Sequence, residues 1–178
     1  MTFTKNWFLY SFLLIVFCSI ISVKALSQPI TELRVIGNSA TFLFNTIKQY
    51  TDGITLSENH TTIRIRFQIT GKTAWQIVAW TDYSNIEYEE GVEFIPITNF
   101  SVLINTASIA PTAPATVTGY TTPFTPSTTP TALIWGNGAP GVDSVVEFKI
   151  YYKISPTGLG ALPNGTYYVP LQLRLEEQ

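Results

Sequence analysis

Few residues in this chain are of types that do chemistry, and their spacing limits what each could do. His60 is the only histidine and sits in the polar turn Glu58-Asn59-His60-Thr61. A Ser-His-Asp triad is formally available, but the G-x-S-x-G elbow that would present its serine is missing. A histidine zinc site takes more ligands than one histidine supplies. Asp82, Glu87, Glu89, Glu90 and Glu93 form an acidic run. Carboxylates are hard oxygen ligands that suit calcium, yet this spacing matches no EF-hand loop, and an acidic surface turn is the plainer meaning. A carboxylate pair could also hydrolyse glycosides, which depends on its separation in space. The glycine-rich loop 136–141 lacks the Lys and the helix that a phosphate site requires. The sequons at Asn59, Asn99 and Asn164 matter only in a host that glycosylates them. No catalytic residue, metal ligand or cofactor site follows, and the chain reads as non-enzymatic.

Aromatic residues offer a different chemistry. A flat ring on a rim can stack on a sugar, and its polar handle suits a wet surface. Trp135 leads into the glycine-rich loop, which makes it, with Tyr120, the candidate sugar-binding pair. Core packing is the competing role, because large aromatics are mostly buried. Trp75 alternates with Ile77, which points to the core, whereas Trp80 falls on the opposite face.

The elements that must position these residues are strands. Residues 62–70 read T-I-R-I-R-F-Q-I-T. Side chains of a strand alternate between its faces, so Ile63, Ile65, Phe67 and Ile69 point one way, and Arg64, Arg66 and Gln68 the other. Residues 145–154 repeat the pattern, with Val146, Phe148, Ile150, Tyr152 and Ile154 inward. Residues 166–175 read as a terminal strand setting Tyr167, Val169, Leu171, Leu173 and Leu175 against Tyr168, Pro170, Gln172 and Arg174. Shorter candidates cover 32–36, 40–44, 75–80, 100–105 and 131–135, with a helical turn near 46–50. Gly, Asn and Pro clusters separate them, and no stretch of ten residues has helical periodicity. Many short strands with regular turns imply an all-β, immunoglobulin-like β-sandwich of antiparallel strands. Residues 109–130 are rich in Thr and Pro. Strands on both sides make them a long loop or edge excursion within one domain.

The 178 residues are a one-domain length. Charged residues are only 12%, about half the usual share; Thr, Ser, Asn, Pro and Gly replace them. Residues 1–27 have the plan of a signal peptide: a short start with Lys5, an apolar run 7–23, then small residues at cleavage spacing, after Ala25 or Ser27. The single domain is then 28–178. Cys18, the only cysteine, lies in the leader after Phe17, where lipidation would need a small residue. The remaining chain has no thiol, hence no disulfide and no Cys-based site. It also loses Lys5 and Lys24, leaving eight cations against twelve acids, a net charge of −4. Such a surface repels phosphate backbones, so nucleic acid is not an expected partner. Arg64 and Arg66 read as a strand's solvated face. The expected setting is extracellular, cell-surface or periplasmic, with no membrane span once the leader is removed.

Three short pieces carry a resemblance. Trp75-Gln76-Ile77 follows a long alternating strand and is similar to the W-x-L element of cell-wall WxL domains. Ile95-Pro96-Ile97 leads into residues 99–104. Leu162-Pro163-Asn164-Gly165-Thr166-Tyr167 and the strand after it resemble the G-x-Y ending of spore coat protein U-like and fimbrial subunits. The chain departs from these in lacking the fimbrial disulfide and a second tryptophan motif. The resemblance implies an exported bacterial immunoglobulin-like module with a surface or appendage role. In sandwiches that polymerise by strand addition, main-chain hydrogen bonds give affinity and alternate apolar side chains give register. The candidate strands are the terminal one, with Tyr167, Val169, Leu171, Leu173 and Leu175, and residues 29–36, with Leu33 and Val35. The bland alternative is that both are ordinary strands of a self-complete sandwich. The chain therefore reads as a structural or adhesive component of a surface, matrix or appendage. Its partners would be itself, other surface proteins or glycans. The alternative function is a carbohydrate-binding module using exposed aromatics.

Overall fold

The computed structural model describes residues 31–37 and 40–178; the expected leader lies outside the described residues. Among the described residues, thirteen strands and one short α-helix follow in order, with single 3-10 turns at Ile97–Asn99 and Leu159–Ala161. They are β1 (Thr31–Gly37), β2 (Phe42–Phe44), α1 (Ile47–Asp52), β3 (Ile54–Thr55), β4 (Thr61–Gln68), β5 (Ala74–Trp80), β6 (Asn85–Tyr88), β7 (Phe94–Pro96), β8 (Phe100–Thr112), β9 (Thr116–Tyr120), β10 (Thr131–Asn137), β11 (Asp143–Ile154), β12 (Gly165–Tyr168) and β13 (Gln172–Glu177). Every strand pairing is antiparallel. The chain is an all-β sandwich, as its alternating pattern implies.

Sheet one runs β1–β4–β11, with β8 on the far side of β11 and β3 beside the end of β11 that β4 leaves free. Sheet two runs β13–β5–β10–β9. Their inner faces are the alternating residues of the sequence. Ile63, Ile65 and Phe67 on β4, and Val146, Phe148 and Ile150 on β11, are buried with Trp75, Ile77 and Ala79 on β5. The rings of Phe67 and Trp75 meet across the layers with centroids 5.4 Å apart. A third sheet, β2–β12–β6–β7, closes one end. Its Phe42 meets Phe100 of sheet one edge-on at 5.9 Å, and its Tyr167 stacks on Tyr88 at 5.1 Å. Burial of these apolar faces is the main favourable term in holding the layers together.

The structure departs from the sequence reading in two instructive places. Residues 166–175 are not one strand. Tyr167 belongs to β12 in the third sheet, whereas Leu173 and Leu175 belong to β13 in sheet two. Pro170 lies between them; it has no N–H to give a ladder, so continuous pairing ends there. Residues 109–130 are also more regular than a loop. β8 runs on to Thr112 and β9 occupies Thr116–Tyr120. Beyond it the buried Phe124 exchanges two 2.8 Å backbone hydrogen bonds with Val102 of β8. Ser108 supports a bulge in β8: its hydroxyl donates to the Asn105 carbonyl at 2.6 Å and accepts the Lys149 N–H at 2.7 Å. That side of the sandwich is thus bulged and bridged, as protected edges are.

Candidate functional site

The opposite side of the sandwich is open. β1 pairs only with β4, and β13 only with β5, among the described strands. Both present an outer edge with main-chain groups available. β1 is unusual in how little it buries. Its seven residues pair in full register with β4, yet Val35 is 57% and Ile36 53% exposed. Leu33 alone among its residues packs on the core, as a half-buried side chain. β13 is better seated, because Leu173 and Leu175 lie opposite Ala79 and Ile77 and pack on the core.

Beside β1 lies a largely apolar groove of ≈ 280 Å³, lined by Val35 of β1, by Phe100 and Tyr152 of sheet one, and by Val169, Pro170 and Leu171, which lead into β13. Of the residues singled out for strand exchange, Val35, Val169 and Leu171 meet in this groove. Leu33, Leu173 and Leu175 flank the core on the same two edge strands, and Tyr167 stands apart, 0% exposed in the third sheet. The groove floor is polar at one point. Tyr152 donates its hydroxyl hydrogen to Thr61 Oγ1 at 3.2 Å, and His60 Nδ1 lies 3.1 Å from the same oxygen. Burial pushes the Tyr152 hydroxyl above the ordinary tyrosine range, so it stays a neutral donor.

A second feature covers the outer face of sheet two. Trp135 stands opposite Gly119 of β9 on one side and Gln76 of β5 on the other. A Cβ on Gly119 would collide with Cζ2, Cε2 and Nε1 of the Trp135 ring, so the indole lies over the glycine backbone. Tyr120 is paired with Ile134. Neighbouring residues of a strand face opposite ways, so Tyr120 and Trp135 do not share a face. Gln76 Nε2 donates to Glu176 Oε2 at 2.8 Å, and Arg174 Nε donates to Glu176 Oε1 at 2.8 Å. These bonds, that of Gln76 first and that of Arg174 next, hold the Glu176 carboxyl below its ordinary range. The Arg174 guanidinium lies 5.4 Å from the centre of the Trp80 ring. Sequence reasoning missed Gly119, Gln76 and Glu176, because only cross-strand register brings them to Trp135.

The remaining polar groups are structural in their contacts. Arg66 grips Asp143 with Nε–Oδ2 2.8 Å and Nη2–Oδ2 2.5 Å, and Arg34 pairs with Glu32. Both pairs are exposed and contribute little. In the acidic run, Glu87 accepts from the Tyr168 hydroxyl at 3.0 Å and Asp82 accepts from Gln172. Among the described residues no three of His, Cys, Asp or Glu are grouped to hold a metal ion. Nor is any helix among them long and apolar enough to cross a membrane. Compared with known protein families and with functionally described proteins, the chain matches none of them.

Proposed function

We propose that this protein is a non-enzymatic structural or adhesive component of a cell surface, matrix or appendage, joined to its neighbours by strand addition at the β1 side. The observation that carries the reading is β1 itself: a strand in full register whose apolar side chains are mostly outside the core. A fully buried aliphatic side chain contributes about 1.5–3 kcal/mol, and β1 has none. What holds it is the ladder to β4, at about 0.5–1.5 kcal/mol net per hydrogen bond. A strand of the same sequence from a second copy offers that same ladder, so exchange costs little beyond association. The groove beside β1 gives a longer incoming strand apolar sockets at Val169 and Leu171. The leader-like start agrees with an exported setting.

Residues 28–178 hold no cysteine, so the disulfide test is made on that stretch, free of Cys18. Arg34 and Arg64 are exposed cross-strand partners. Arg34→Cys and Arg64→Cys chains, mixed, unfolded and refolded together under mild oxidation, should give a mixed disulfide dimer in excess over either homodimer. Under strand addition, β1 of one copy lies beside β4 of another. If a chain carrying both Arg34→Cys and Arg64→Cys closes only on itself and the mixture gives no excess of mixed dimer, β1 stays with its own chain and the reading fails.

A further inference from the structure

We propose that the outer face of sheet two is a binding site for a neutral polysaccharide, with the Trp135 indole as its stacking platform. Trp135 does not behave as a core residue. Trp75, one strand away, is 1% exposed and donates its indole N–H to the Asn137 carbonyl at 3.1 Å. Trp135 is 36% exposed, and among the described residues no acceptor takes its N–H. One face of its ring is occupied by the Gly119 backbone. The exposed part of the ring could take the aliphatic face of a sugar while the free N–H meets a hydroxyl.

The register supplies the polar half of the site. Gly119, Trp135, Gln76 and Glu176 occupy one row across β9, β10, β5 and β13. Adjacent strands are about 4.8 Å apart, so the row extends over more than one sugar ring. Gln76 spends its Nε2 on Glu176, which leaves its carbonyl oxygen to accept from a sugar hydroxyl; the carboxylate of Glu176 has further lone pairs for the same purpose. The charge of the site selects the ligand. Its one cation, Arg174, is engaged by Glu176 and lies over Trp80. The pair sums to zero, so the site offers no net positive charge to hold an acidic sugar. A neutral glycan fits this balance. Tyr120, on the other side of β9, takes no part.

The experiment is retention of the chain 28–178 on insoluble cellulose, chitin, xylan, mannan and β-1,3-glucan, with polygalacturonate as the acidic control. Retention by at least one neutral polymer is expected. It should fall about tenfold or more in Trp135→Ala, the loss of one aromatic stacking contact. It should also fall in Gln76→Ala, which keeps the indole and guards against misfolding of the first variant. Tyr120→Ala should bind as the parent does. No retention on any neutral polymer, retention on polygalacturonate alone, or equal retention by folded Trp135→Ala would each overturn the proposal. None of these outcomes bears on strand addition at β1, because Trp135 and Gln76 lie on the inner strands β10 and β5 of sheet two and β1 belongs to sheet one.

Discussion

At the scale of single residues, the structure shows side chains whose role depends on what stands opposite them. Glu176 is the clearest. Its hydrogen bonds from Gln76 and Arg174 favour the ionised form, so its folded pKa lies below its unfolded one. A carboxyl shifted this way adds stability above its unfolded pKa, about 4.3, and that stability is lost as pH falls through the lower folded value. Urea unfolding of Gln76→Ala should therefore show a shallower loss of stability on acidification than the parent. The difference should be below about 1 kcal/mol, because the group is partly exposed. Identical acid limbs would contradict the assignment. The roles of Trp75 and Trp80 were legible in the sequence, since alternation alone puts one inside and one outside. The setting of Trp135 was not. The glycine beneath it and the amide beside it come from strands 16 and 59 residues away in register.

Elements tell a similar story. β4 and β11 carry strict alternation over long runs, and their inward residues are the buried ones. β3, β6, β7 and β9 were not anticipated; they have five residues or fewer, too few for a period of two to stand out. The division of the terminal strand was hidden because alternation continues through Pro170, although the pairing cannot. β1 and β4 share a ladder but not a load. Ile63 is fully buried whereas Leu33 is only half-buried. Ile63→Ala should cost about 2–5 kcal/mol in chemical unfolding, as for other core truncations, and Leu33→Ala markedly less. Equal costs would mean that β1 is an integral strand, and its easy exchange would lose its physical basis.

On the scale of the whole molecule, the sandwich has one protected side and one open side. β8 is bulged at Ser108 and bridged to Phe124, while β1 and β13 keep free edges among the described strands, with a largely apolar groove beside β1. That asymmetry is what the proposed strand addition at β1 would use, and Trp135 lies on β10, two strands in from the β13 edge. The sequence made the fold class legible through composition and alternation. It could not reveal which edges stay open, because that depends on how distant strands pair. The most direct measurement of the central claim is the native size of the protein taken unheated from the cell surface or medium. The account predicts a ladder or very large species that collapses to a single monomer band on boiling. A monomer of the mature mass before heating would contradict it.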